Sequence, residues 1–129
     1  MVIDTSALMA ILNREPEGPA FRDAIKLAPN RLISAATRVE AGIVAVSRRG
    51  EPGLEELHAL TSALKLDIVP VTDEHALLAI QGFQHFGKGH HPAGLNYGDC
   101  FSYALAKATG EPLLFKGGDF SRTDVTRSR

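Results

Sequence analysis

The stretch MVIDTSALMAIL, residues 1–12, changes its hydrophobic rhythm at one acid. Met1 to Ile3 form a short continuous apolar run of the kind that fills a buried strand. After Asp4 the apolar residues Leu8, Ile11 and Leu12 recur at helical spacing, until the breakers in NREPEGP (13–19) interrupt them. The segment therefore reads as a strand, then Asp4, then a helix. A carboxylate at such a junction has an ordinary role, because the first turn of a helix exposes unpaired N–H groups and the positive end of its dipole.

The same alternation continues outward. A helix is expected over 20–28, with Phe21, Ile25 and Ala28 on one face, ended by Pro29-Asn30 before the brief strand RLIS (31–34). AATRVEAGIVAVSRRG (35–50) carries Val39, Ile43 and Val46 at helical spacing and ends in Arg48-Arg49 before Gly50, as a helix C-terminus should. GLEELHALTSALKL (53–66) reads as a separate amphipathic helix, and its stripe Leu54, Leu57, Leu60 and Leu64 is assigned to the core. A strand in DIVPV (67–71), a core or interface helix from DEHALLAIQGF (73–83), the Gly-rich loop FGKGHHPAGLN (86–96), a helix entered at Asp99 and a strand in PLLF (112–115) complete the chain. Apolar strands separated by helices long enough to cross over predict an α/β fold, with a mainly parallel sheet covered on both faces.

Composition narrows the class. At 129 residues, with 44% hydrophobic and 22% charged residues, the chain suits a single domain spanning 1–129 that buries its own core. The lone Cys100 cannot form an intrachain bridge, so a reducing cytoplasm is the expected compartment. The apolar N-terminus lacks a basic flank, contains Asp4 and is shorter than the ~20 residues that cross a bilayer, so neither a signal peptide nor a membrane anchor is expected. A net charge of −1 gives no global attraction to nucleic acid, so such a partner requires a local patch.

Parallel α/β sheets place their chemistry beyond the carboxyl ends of the strands. Asp4 follows the first strand, Glu40 lies just beyond RLIS, Asp119 follows PLLF, and Asp99 opens the helix leading into that last strand. Each has a local explanation: Asp4 and Asp99 as helix-start acids, Glu40 as partner of Thr37 in a Thr-x-x-Glu capping box, and Asp119 as a turn residue. Together they imply more. Carboxylates converging on one rim repel one another unless protons or a cation neutralise them, and a hard divalent ion suits an all-oxygen site. The chemistry native to such a centre is phosphoester hydrolysis.

At this point VIDTSAL, SAATRVEAGIV, GKGHHPAGLNYGDCFSYALAK and PLLFKGGDFSRTDV resemble, in order and over nearly the whole chain, the successive motifs of PIN-domain ribonucleases, specifically the VapC toxins of bacterial toxin–antitoxin pairs. The resemblance implies a three-layer α/β/α sandwich and a Mg²⁺- or Mn²⁺-dependent endoribonuclease that leaves 5′-phosphate and 3′-hydroxyl ends. It also implies a homodimer and a cognate VapB-type antitoxin whose C-terminal segment blocks the cleft. By position, Asp4, Glu40 and Asp99 match the family's metal-holding acids, Asp119 matches the acid after its last strand, and Ser6 matches a supporting hydroxyl. Relatives often carry an acid or amide just before that last aspartate, where this chain has Gly118, so Asp119 rests on less of the motif.

The mechanism this implies is hydrolysis by a metal-activated water in line with the scissile phosphate. Setting the four site acids aside from 15 leaves 11 against 14 Lys plus Arg, so the remaining surface is mildly basic and RNA a reasonable partner. Arg38 and Lys116 are the candidate phosphate contacts, each with solvated surface charge as the plainer account. Tyr97, Phe101 and Tyr103 could stack on bases, although helical spacing favours burial of Phe101. His90-His91 lack the spacing of a zinc site, and Cys100 reads as packing. A phosphotransferase with Asp4 as nucleophile would usually show a second acid at the position of Ser6, and no Walker-A loop is present. The alternative kept alongside the nuclease is a non-catalytic PIN-like module that binds RNA or antitoxin.

Overall fold

The computed structural model describes residues 1–128. Four parallel strands, β1 (Val2–Ile3), β2 (Leu32–Ser34), β3 (Asp67–Val69) and β4 (Leu113–Leu114), lie in the order β3-β2-β1-β4. β1 is central, paired through Val2 with both Leu32 and Leu113. The helices are α1 (Thr5–Leu12), α2 (Gly18–Leu27), α3 (Ala35–Ala63), α4 (Asp73–Phe86) and α5 (Tyr97–Thr109), followed by a short 3₁₀ turn at Phe120–Arg122.

Alternation along the strands divides the core into two. Ile3, Ile33 and Leu114 face one way and pack with Leu8, Ile25 and Leu57 of α1, α2 and α3. Val2, Leu113 and the following Phe115 face the other way and pack with Ala79 of α4 and with Tyr103 and Leu105 of α5. The expected three-layer α/β/α sandwich is therefore present.

The two helices expected over 35–50 and 53–66 are both present as the two halves of α3, separated by a kink at Gly50, whose φ of 62° and ψ of −151° are open to a residue without a Cβ. Pro52 begins the second half, where its missing N–H costs nothing. The Thr37–Glu40 capping box does not form: Ser34 is the N-cap of α3, accepting from Ala36 N, and Thr37 already lies inside the helix with its hydroxyl turned to Ser102. Along α3, Ala41 and Ala45 face the core, whereas Val39, Ile43 and Val46 are exposed. The leucine stripe behaves as expected, with Leu57, Leu60 and Leu64 buried.

Candidate metal centre at the carboxyl edge of the sheet

Asp4 is placed by the centre of the sheet. Its backbone N–H continues the ladder by donating to Leu114 O (3.1 Å), and its side chain then caps α1 by accepting from Ser6 N (3.0 Å). The Ser6 hydroxyl donates to the same oxygen, Oδ2, at 2.7 Å, while Ser102 Oγ of α5 donates to Oδ1 at 2.6 Å. Asp4 is only 3% exposed, so these bonds replace water that its charge would otherwise need.

Glu40 reaches the same place from α3. Its Oε1 accepts from Thr5 Oγ1 at 2.6 Å, and its carboxyl lies against the backbone of Gly98, where any Cβ would overlap it. Asp99 enters from the first turn of α5. There it forms a reciprocal capping box with Asn96: Asp99 N donates to Asn96 Oδ1 (2.9 Å) and Asn96 N donates to Asp99 Oδ2 (3.0 Å). The helix-start role and the cleft role coincide in one side chain.

Asp4, Glu40, Asp99 and Ser6 line one open cleft of about 350 Å³, with Thr5 and Lys116 beside them. Asp119 stands in the exposed turn after β4 and does not line the cleft, yet its charge reaches Asp99. The Asp99 carboxyl is pushed up to about 6, first by desolvation and then by Asp4, Asp119 and Glu40, against the opposing pull of the Asn96 N–H. The sequence-level expectation that these acids press on one another thus has a geometric basis.

The flanking cations divide. Lys116 lies on the cleft rim and is paired with Glu15 and, at 3.0 Å, with Glu17; its backbone N–H donates to Ser6 Oγ (3.0 Å). Arg38 is not brought to the cleft. Its guanidinium donates to Thr61 Oγ1 (3.0 Å) and lies 2.9 Å from His58 Nδ1, tying the two halves of α3 together. Arg48, read from sequence as a helix-end charge, lines the cleft instead. Cys100 is buried with its thiol pushed up to about 11 by desolvation, in keeping with packing. Tyr103 is buried as well, whereas Tyr97 is 81% exposed and Phe101 is half-buried.

Sequence reasoning missed Thr5, Gly98 and Ser102, and read Thr37 only as a capping residue. Thr5 adjoins Asp4, and Ser102 follows Asp99 by one helical turn, a spacing that places both on one face and could have drawn attention to it. The support that Thr5 and Gly98 give Glu40 involves residues far apart in the chain and had no local signal.

As the side chains stand, no group of three or more carboxylate, imidazole or thiol side chains among the described residues is arranged to hold an ion. The donor chemistry nevertheless suits one. Glu40 Oε2, which lies against Gly98, and Asp99 Oδ1 accept no hydrogen bond among the described residues, and both are hard oxygen donors on side chains that line a carboxylate-rich cleft.

The PIN domain family model matches residues 1–125. This chain belongs to the PIN domain family. Within it, the chain falls among the VapC ribonucleases: it is 49% identical over 125 residues to ribonuclease VapC30 of Mycobacterium tuberculosis, covering 97% of this chain and 95% of that one. Among solved structures, the PIN domain superposes on M. tuberculosis VapC20, described as a Sarcin-Ricin loop cleaving toxin, with a TM-score of 0.79 at 18% identity, covering 99% and 98% of the two chains. It also superposes on a toxin–antitoxin complex from Klebsiella pneumoniae with a TM-score of 0.70 at 19% identity, covering 95% and 92%. The family expected from the four motifs is therefore the family found, and a ribonuclease kinship favours an enzyme over a non-catalytic module. Among the described residues, no helix of this PIN domain is long and apolar enough to cross a membrane.

Proposed function

We propose that this PIN domain is the toxin of a VapBC-type pair, an endoribonuclease that depends on Mg²⁺ or Mn²⁺ held by Asp4, Glu40 and Asp99, with Asp119 as an outer acid. The observation that carries the reading is the convergence of those three carboxylates, from β1, α3 and α5, on one cleft in which Asp99 is pushed up to about 6. When bound, the ion supplies activation of water and neutralisation of charge on the phosphodiester.

The chain's own residues do the rest. Ser6 and Ser102 hold the Asp4 carboxylate by both oxygens, and Thr5 holds Glu40, so the acids meet substrate in a fixed arrangement. Lys116 stands on the rim as a point charge for a backbone phosphate, once exchanged from Glu15 and Glu17. Arg48 is a second cation in reach of the cleft.

The relatives' names support RNA as substrate and an antitoxin as partner. A homodimer fits the apolar residues left outside the core: Val39 and Ile43 on α3, Leu77 and Ile80 on α4, and Tyr97 on α5 are each more than half exposed. A cytoplasmic site of action follows from an RNA target and a single unpaired thiol.

The test compares cleavage of RNA by antitoxin-free wild type and Asp99→Asn in Mg²⁺, Mn²⁺ or EDTA, with folding of both checked. Asparagine keeps the shape and the capping acceptor but removes the charge. Cutting by wild type only with metal, and none by the variant, is the expected result. Cleavage that survives both EDTA and the substitution sinks the mechanism.

A further inference from the structure

The three acids approach the cleft from three elements, and beneath them lies a pair of hydroxyls, Ser102 and Thr37, to which the family resemblance assigned no role. Ser102 follows Asp99 by one turn of α5, and Thr37 precedes Glu40 by one turn of α3. Ser102 Oγ and Thr37 Oγ1 lie 3.2 Å apart, and Ser102 Oγ donates to Asp4 Oδ1 at 2.6 Å. Exposure is 0% for Ser102, 1% for Thr37 and 3% for Asp4, so water does not compete for these bonds.

The direction of the chain follows from counting protons. An ionised carboxylate only accepts, and a serine hydroxyl has one proton to give. Ser102 gives its proton to Asp4, so Thr37 is the donor to Ser102. The counting also separates the two oxygens of Asp4. Oδ2 takes donors from both Ser6 N and Ser6 Oγ, which uses its two lone pairs, whereas Oδ1 takes only Ser102 and keeps one. The oxygen with capacity left for a cation is therefore the one Ser102 holds.

We infer that Ser102, backed by Thr37, is a positioning residue for the metal centre: it aims Asp4 Oδ1 into the cleft and sets the spacing between the helices that carry Glu40 and Asp99. This rests on the reading of Asp4, Glu40 and Asp99 as metal-holding acids. A hydroxyl pair locked into the sandwich does so without adding a charge to a cleft already crowded with acids. Carboxylates that bind metals are commonly oriented by such outer partners, whose removal weakens metal binding by ~10–100-fold.

The test is Mn²⁺ binding to the full chain free of antitoxin, followed by electron paramagnetic resonance of free Mn²⁺, together with melting temperature and RNA cleavage. Ser102→Ala is expected to raise the Mn²⁺ dissociation constant about tenfold, with cleavage partly restored at saturating Mn²⁺. Thr37→Val is expected to raise it less. Because Thr37 acts through Ser102, its effect should vanish in the Ser102→Ala background, a coupling that independent packing roles would not produce. Unchanged Mn²⁺ binding in Ser102→Ala, with wild type binding and cutting normally, overturns the inference and leaves the nuclease reading intact. Strictly additive effects of the two substitutions overturn the relay. A wild type that binds no Mn²⁺ overturns the reading of the acids and this inference with it. Should Ser102→Ala fail to fold, Thr37→Val decides: weaker Mn²⁺ binding at an unchanged melting temperature supports the role, and unchanged binding removes it.

Discussion

Gly98 and Glu40 share a space that admits only one of them and a hydrogen atom: a Cβ built on Gly98 falls on the Glu40 carboxyl. Glycine at the second position of α5 runs against helix propensity, where alanine is favoured by about 1 kcal/mol. Gly98→Ala should therefore displace Glu40 and cut RNA cleavage at least tenfold, with a melting temperature within a few degrees of wild type. Side-by-side thermal melts and initial cleavage rates measure this, and wild-type activity in the variant would show that Glu40 is free to sit elsewhere.

Thr5 acts on the opposite side of the same carboxyl. Its hydroxyl is the only hydrogen-bond donor to Glu40 among the described residues, so Thr5→Val, which keeps the volume, releases Glu40 while Thr5→Ser retains the bond. Cleavage is expected to fall for valine, by about 10-fold, and to stay close to wild type for serine. Equal rates for the two variants would show that the Thr5 hydroxyl does not hold Glu40 in its working position.

Asp99 has a pH signature. Its carboxyl is pushed from 3.8 up to about 6, so between those values the folded chain binds more protons than the unfolded one. Stability in the absence of metal is then highest at the acid end of that window and falls as pH rises through about 6. Asp99→Asn removes the cost and should stabilise the metal-free protein at pH 7 by about 1–3 kcal/mol while abolishing cleavage. Urea titrations at pH 5 and pH 7.5 read this directly: the gain should shrink at the lower pH.

Arg31 is the counter-case, a cation with a structural job. Its guanidinium donates to Ala28 O (3.2 Å), Leu64 O (2.9 Å) and Lys26 O (2.6 Å), closing the ends of α2 and α3 over the sheet. Arg31→Met leaves those carbonyls without their charged donor and should cost about 1–3 kcal/mol. Metal dependence and cleavage by the folded fraction should be unaltered, as chemical denaturation paired with activity assays would reveal.

Lys116 is expected to serve RNA only when it leaves Glu15 and Glu17. The double substitution Glu15→Gln and Glu17→Gln should tighten RNA binding at low salt, and Lys116→Met should weaken it and lower the salt dependence by about one phosphate contact. Titrations of catalytically silent Asp99→Asn protein with labelled RNA at several salt concentrations separate these outcomes.

Much of this was legible in one dimension. Val2–Ile3, Leu32–Ser34 and Leu113–Leu114 announce themselves as apolar runs, because buried parallel strands need apolar residues on both faces. The acids Asp4, Glu40 and Asp99 could be picked out by where they fall after strands and before a helix, since parallel topology alone brings such positions to one edge. What periodicity could not supply is which local bond each side chain prefers. Thr37 and Glu40 have the spacing of a capping box, yet Ser34 takes the cap, Thr37 turns inward to Ser102, and Glu40 is claimed by Thr5 from another element. Arg38, near Glu40 in sequence, is spent on Thr61 and His58, while Arg48 arrives at the cleft about three turns further along α3. The alternation of strands and helices and the acids at their junctions are written along the chain, because hydrophobic period and helix-end chemistry are local. Which hydroxyl holds which carboxylate is settled by packing, because those bonds join residues up to 98 positions apart and form only once the layers have come together.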